Sequence, residues 1–373
     1  MVGIYLHIPF CASRCVYCGF YSTTEKDLRD RYVDALRKEM KMRPIADEIA
    51  TIYLGGGTPS QLSPSQLRRV FDGMREAYGE VNDDVEVTME CNPDDVTPSF
   101  ARVLADLSIN RVSMGAQTFD DDRLRFLRRR HGSEEVRQAV DNLRAVGIGN
   151  VSVDLMFGFP GETLEDWESD LQRTMAIHPA HVSAYSLTYE EGTPLYKMRG
   201  TGRVKEVDEE VSVAMYGRLI DRLSAEGYEH YEISNFALPG YRSRHNSSYW
   251  HEIPYIGIGA AAHSYDLRSR SWNVADVHAY IDAIERGELP SEEETLDTVT
   301  RYNDLVTTAL RTKEGINLSH LREDYGEEYY LYILSTAAPH LRNERMTITD
   351  DRLALTRKGL FVSDDVMSDL ILA

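Results

Sequence analysis

The chain has 373 residues, enough for one large α/β core plus a smaller module, because a single core stops growing at roughly 250–300 residues. Acidic residues outnumber basic ones, 61 against 41, and the formal charge of −20 argues against a broad nucleic-acid footprint made by phosphate neutralisation. No stretch approaches the roughly 18 continuous apolar residues of a membrane span, and three of the four cysteines fall close together, the wrong distribution for a secreted disulfide framework. With no secretory pattern ahead of the apolar run Gly3 to Phe10, the expected compartment is the cytoplasm.

Between residue 2 and about residue 226, six short β-branched or aromatic-rich runs each precede a stretch of helical periodicity, the form of repeated βα units. The expected strands are Val2 to Ile8, Thr51 to Leu54, Val85 to Met89, Arg111 to Met114, Val151 to Phe157 and His181 to Leu187. The first helix, near Leu28 to Met42, places Tyr32, Leu36 and Met40 on one stripe that covers the sheet. Thr163 and Asp166 have capping-box spacing ahead of Trp167 and Leu171, so a later helix starts near Thr163.

Unusual residues fall at or just beyond the C-terminal end of each strand. They are the cysteine cluster, Gly55-Gly56-Gly57-Thr58-Pro59, Glu90, Gln117, Asp154 and Ser186. In βα barrels that rim binds ligands, so a curled parallel sheet would bring them together; the plain competitor is that Gly, Asn, Asp and Gln favour loops. The barrel is expected over 1–227. Residues 228–290, rich in Gly, Pro, Asn and aromatics as far as Trp272, read as a connecting or lid region. Residues 291–373 read as a small α+β module, with helices over Asn303 to Arg311 and Leu318 to Tyr325 and a hairpin turning at Thr349 to Asp351.

Cys11-x-x-x-Cys15-x-x-Cys18 puts three thiolates on one loop, enough for three irons of a cubane cluster while the fourth iron has no cysteine. Zinc competes for such a loop, but a structural zinc site usually takes four protein ligands, and the nearby fourth candidate is His7, on the wrong side of Pro9. Cys91 stands alone and reads as a buried, inert thiol.

The run Tyr5-Leu6-His7-Ile8-Pro9-Phe10-Cys11, with Cys15, Tyr17 and Cys18, resembles the cluster loop of radical S-adenosylmethionine (SAM) proteins, in their porphyrin-related branch. So do Asp154 to Gly161, Tyr231-Glu232-Ile233-Ser234-Asn235-Phe236 and the C-terminal module, so the likeness covers most of the chain. It implies an α/β fold: a partial (β/α)6 TIM-like barrel of the radical SAM type with a winged-helix-like C-terminal module. It further implies a 4Fe-4S cluster on Cys11, Cys15 and Cys18, whose open iron chelates the amino and carboxylate groups of SAM.

In the same pattern Tyr5 and Tyr17 help seat that cofactor, and Gly56, Gly57 and Thr58 contact its methionine end. Glu90 meets its amino group or a second cofactor molecule, and Arg129 a carboxylate, although any of Arg128, Arg129 and Arg130 fits a solvated helix-end charge. Gln117 and Asp154 suit ribose hydroxyls, and Ser186 would lie beside the adenine.

Two features separate relatives. Anaerobic coproporphyrinogen oxidases carry a further cysteine two places after the third, whereas this chain has Cys18-Gly19-Phe20, which points to the HemW-type subgroup. His245-Asn246-Ser247-Ser248-Tyr249-Trp250 matches the His-Asn-x-x-Tyr-Trp pattern of HemW-type heme chaperones. A neutral imidazole can ligate heme iron and flanking aromatics can pack on a flat macrocycle, although His251 and His263 compete with His245. Gly257 to His263 reads as close packing or as part of the same pocket.

The function implied is a chaperone that binds heme and passes it to an acceptor hemoprotein, a membrane-associated one included, with the cluster and SAM regulating dimerisation or release. The enzyme alternative is oxygen-independent oxidative decarboxylation of coproporphyrinogen III, where a radical abstracts hydrogen from a propionate side chain.

Overall fold

The computed structural model describes residues 1–82 and 84–372. Six strands, β1 (Val2–Ile8), β2 (Ile49–Gly56), β3 (Glu86–Cys91), β4 (Arg111–Gln117), β5 (Asn150–Phe157) and β6 (His181–Ser186), lie side by side in chain order. Every neighbouring pair among them is parallel. Helices α1 (Arg29–Met42), α2 (Pro64–Tyr78), α3 (Pro98–Asp106), α4 (Asp121–Phe126), α5 (Ser133–Arg144) and α6 (Leu164–Ile177) fill the crossovers, and α7 (Pro194–Gly200) and α8 (Glu209–Ala225) follow β6.

The expected start at Thr163 holds, since its hydroxyl accepts from the Asp166 N–H at 3.2 Å while the Asp166 carboxylate accepts from the Thr163 N–H at 3.0 Å. The shorter Asp therefore completes the capping box.

The strands alternate in a way that sorts their chemistry. Ile4, Leu6, Ile8, Ile52, Leu54, Val87, Met89, Val112, Met114, Val153, Leu155, Val182 and Ala184 join the main apolar core under the helices. The intervening residues, among them Tyr5, Tyr53, Glu86, Thr88, Glu90, Arg111, Ser113, Ser152, Asp154, His181 and Ser183, turn to the concave face, where hydrogen bonds join Tyr53 to Glu90, Thr88 to Glu86, Asp154 to Ser113 and Ser152, and Ser152 to His181 and Ser183. Burying so many polar groups is tolerable only where they meet partners or a ligand.

The region expected to connect or cover is instead sheet. β7 (Glu229–Glu232) and β8 (Asn235–Ala237) add antiparallel to the β6 edge, and β9 (Tyr255–Ile258) pairs parallel with β1. β10 (His263–Tyr265), β11 (Ser269–Asn273) and β12 (Ser291–Thr295) continue outward, completing a twelve-stranded sheet. α9 (Arg244–Trp250) and α10 (Val277–Arg286) interrupt this run, and Val277, Tyr280, Ile281 and Ile284 join the main core.

Glu39 of α1 pins the arrangement. Its fully buried carboxylate accepts from Arg43 at 2.8 Å, Asn273 at 2.7 Å, the Gly259 N–H at 2.8 Å and the Tyr280 hydroxyl at 2.6 Å. Glu39→Ala leaves those donors stranded, so a loss of about 3 kcal/mol or more is expected in urea unfolding; a loss under about 1 kcal/mol would show that the network contributes little.

A second core gathers Tyr302 to Leu370 around α11 (Thr298–Ala309), β13 (Ile316–Asn317), α12 (Leu318–Tyr325), α13 (Glu327–Arg342) and the hairpin β14 (Met346–Thr349) with β15 (Arg352–Leu355). Asp350 and Asp351 take φ of 50° and 63°, the two left-handed positions of a tight hairpin turn. The expected boundary near 291 shifts, because β12 still belongs to the large sheet. The module is stitched to the barrel where the Ile233 N–H donates to Arg311 O at 3.0 Å and the Lys313 N–H to Tyr231 O at 3.0 Å.

Candidate functional site

The cysteine loop is clamped at both flanks. Cys11 N–H donates to Thr23 O at 2.9 Å and Thr23 N–H to Pro9 O at 2.7 Å, while Val16 is held by Leu127 O at 3.3 Å and accepts from the Leu195 N–H at 2.9 Å. Val16 belongs to a small apolar cluster with Leu127, Met156, Phe159, Leu187 and Leu195, against which Tyr17 packs. All three cysteines are free thiols, with Cys11 buried and its Sγ 3.5 Å from the Thr58 hydroxyl.

Burial pushes the Cys11 thiol up, opposed by that hydrogen bond. Among the described residues no three His, Cys, Asp or Glu side chains converge as a single ion would require. A cubane asks for less, since each thiolate meets a different iron.

Near the C-terminal ends of the strands Thr58 meets Cys11, Arg129 meets Cys15 and Glu90 meets Gly56, whereas Asp154, expected at a strand end, lies inside β5. Of the three consecutive arginines, Arg129 is the one that turns inward: it donates to Asn92 Oδ1 at 2.5 Å, Gly115 O at 2.6 Å and Cys15 Sγ at 3.7 Å. Arg128 is exposed and Arg130 pairs with Asp94 and Asp95. Gln117 sits at a register shift with φ of 68°, a conformation costly for a side-chain-bearing residue and common at ligand sites.

The glycines answer first to packing. Gly56 has φ of 109° and a Cβ there would lie 2.6 Å from the His7 ring, while one on Gly57 would lie 2.6 Å from the Pro9 backbone.

Glu90 accepts from the Tyr53 hydroxyl at 2.8 Å and the Gly56 N–H at 3.2 Å, and burial raises its pKa to about 7. Asp154 is raised by burial too, opposed by the hydroxyls of Ser113 and Ser152, each 3.1 Å from its carboxylate. Ser186 is exposed at the end of β6, its Oγ 3.4 Å from where a Gly158 Cβ would stand.

The histidine motif lies elsewhere. After β8 runs back along β6, Ser243 caps α9, which closes the N-terminal mouth of the barrel, opposite the cysteine rim. His245 is 0% exposed, with Nδ1 2.7 Å from the Thr51 hydroxyl and Nε2 2.8 Å from the Tyr249 hydroxyl. The Glu86 carboxylate accepts from the N–H groups of Arg244 and His245 at 3.0 and 2.9 Å.

In this conformation neither ring nitrogen of His245 is free. Burial, then the charge of Arg111, lowers the His245 pKa to about 3, so the imidazole is neutral. Tyr249 packs edge-on against Tyr255 at 4.7 Å, and Trp250 points away to lie under Arg311 at 4.9 Å. His251 is exposed and bonds Ser247 O at 2.7 Å; His263 is exposed beside Trp272 at 6.1 Å. Gly257 packs where a Cβ would strike His263 O, which favours the close-packing reading of that loop.

The Radical SAM superfamily model matches residues 5–174. Over 375 aligned residues the chain is 34% identical to the heme chaperone HemW of Lactococcus lactis subsp. lactis (strain IL1403), covering 99% of this chain and 97% of that one. The chain belongs to the HemW family of radical SAM proteins. The HemW heme chaperone of Bacillus subtilis (strain 168) is 36% identical, covering 98% of each chain. The solved coproporphyrinogen III oxidase HemN of Escherichia coli, a radical SAM enzyme, matches with a TM-score of 0.86 at 22% identity, over 99% of this chain and 90% of that one, a likeness of fold.

The family implies a 4Fe-4S cluster and SAM, and the clamped loop with three free thiols beside Thr58 and Arg129 fits the first. In this HemW-family chain the concave face also holds residues not singled out from the sequence: Tyr53, Arg111, Ser113, Ser152, His181 and Tyr185. The signal was the period-2 alternation inside each strand, as in Arg111-Val-Ser113-Met-Gly115, where the polar residues share one face.

Proposed function

We propose that this chain is a heme chaperone, taking up heme and passing it to an acceptor hemoprotein while carrying a 4Fe-4S cluster and SAM. The observation that carries the reading is the His-Asn-x-x-Tyr-Trp helix closing one mouth of the barrel, in a chain alike end to end to heme chaperones. Cys11, Cys15 and Cys18 hold the cluster. When bound, it supplies an iron without a cysteine ligand for the amino and carboxylate groups of SAM.

Around it Tyr5, Tyr17, Gly56, Gly57 and Thr58 form the cradle, Arg129 takes the carboxylate and Gln117, Asp154 and Ser186 take the nucleoside. Heme meets His245, Tyr249 and Trp250 once α9 shifts off Thr51. An acceptor at a membrane and a homodimeric state belong to the same reading.

Glu90 gives the SAM site a pH signature. With its pKa raised to about 7, Glu90 holds a proton at lower pH, and a neutral carboxyl accepts from the N–H groups of the SAM amine more weakly than a carboxylate does. SAM affinity measured calorimetrically is expected to fall as pH drops through 7, by up to about tenfold in all. Glu90→Gln should weaken binding about tenfold at pH 8 and flatten that dependence. A variant keeping the wild-type pH profile would remove Glu90 from the site.

Heme titration of the anaerobically reconstituted chain tests the reading as a whole. Near-equimolar binding is expected; no saturable heme complex would overturn it.

A further inference from the structure

We propose that Arg111 anchors a ligand carboxylate inside the barrel, and that the ligand is a tetrapyrrole carrying propionate side chains. The identity of the ligand rests on the heme reading above; the anionic class rests on the geometry. Arg111 opens β4, is 1% exposed, and its Nε and Nη1 are buried without a hydrogen-bond partner. A buried guanidinium left in this state costs several kcal/mol on the order of an unpaired ion, so it calls for an anion.

The interior carboxylates do not serve. Glu86 is taken up by the N–H groups of Arg244 and His245, Glu90 by Tyr53 and the Gly56 N–H, and Asp154 by Ser113 and Ser152. Each is hydrogen-bonded by neutral donors, and although the charge of Arg111 acts on Asp154, no carboxylate bonds its Nε or Nη1.

Its surroundings are aromatic and lie at the α9 end of the sheet, where the heme reading places the ligand. Arg111 stands at the N-terminal end of β4, the end that α9 covers, and its charge acts on Tyr53, Asp154, His181, Tyr231 and His245. Tyr53 and His245, two of those residues, stack on each other, 5.0 Å between centroids. The sheet ends in β12 and β7 without closing. A planar guanidinium takes a carboxylate through two parallel N–H bonds, which lysine cannot do.

The test compares heme with its dimethyl ester, whose propionates carry no charge. The wild type is expected to bind heme at least about tenfold tighter than the ester, Arg111→Met to lose that factor for heme and to bind the two alike, and Arg111→Lys to fall between. Equal affinity of the wild type for acid and ester would overturn the inference alone, internal water then being what solvates Arg111. An equal loss for both ligands in Arg111→Met would do the same. Failure of the wild type to bind either would overturn the heme reading and with it the ligand named here. Should Arg111→Met lose its fold by circular dichroism, the wild-type comparison still decides.

Discussion

Replacing any one of Cys11, Cys15 or Cys18 by alanine is expected to abolish cluster assembly, with bound iron and sulfide after anaerobic reconstitution falling by more than about tenfold. Two thiolates leave two irons of a cubane without protein ligands, and the loop supplies no substitute. His7 is turned away, its ring bonded to Tyr5 at 3.0 Å and to Tyr21 O at 3.1 Å. Cys91→Ala is the control. That thiol is 4% exposed on the helix side of β3, inside the main core, and its removal should leave cluster content unchanged. A cluster retained in Cys15→Ala, or lost in Cys91→Ala, would show that the wrong cysteines have been assigned.

The second large effect concerns α9. His245→Ala empties a site beneath Tyr53 and strands the hydroxyls of Thr51 and Tyr249, so a stability loss of about 2–4 kcal/mol is expected alongside a heme affinity at least about tenfold weaker. That pairing alone would not separate ligand from plug. Thr51→Val and Tyr249→Phe do, because each removes one bond that holds the imidazole in the closed state while leaving the ring intact. If heme takes His245 after α9 shifts, each releases about 1 kcal/mol of closing energy and heme affinity should rise severalfold as stability falls. If His245 only closes the barrel, both variants weaken or leave unchanged the heme affinity. Optical titration with heme, beside urea unfolding, reads the two quantities separately.

Much of this was legible in the chain. β1 occupies Val2–Ile8 as the pattern predicts, the other five parallel strands fall within two or three residues of their expected ends, and α12 matches at Leu318–Tyr325. Local alternation and capping set those boundaries, so local sequence reveals them. The rim residues were legible for the same reason, since strand ends in a parallel sheet share one face of the molecule.

The stretch from residue 228 to 290 was not. β7 and β8 are short, and β9 finds its partner in β1 some 250 residues away, Gly3 facing Tyr255, a pairing that no local pattern announces. Nor does the sequence say at which mouth of the barrel His245 sits. That follows from β8 running antiparallel to β6 and delivering the chain to the strands' N-terminal ends, where Gly3, Thr51 and Glu86 meet the helix.

The separation has a functional consequence. SAM at the rim and heme at α9 would approach the barrel from opposite ends, with Tyr53 touching both worlds: its hydroxyl bonds Glu90 at 2.8 Å and its ring stacks on His245 at 5.0 Å between centroids.

The most direct measurement of the central claim is to reconstitute the full chain anaerobically with cluster and SAM, load it with heme, and add an apo-hemoprotein in one sample and coproporphyrinogen III in a parallel heme-free one. Heme appearing on the acceptor, with coproporphyrinogen unchanged, is the result expected of a chaperone; protoporphyrinogen formed without heme transfer would make this chain an oxidase and contradict the account.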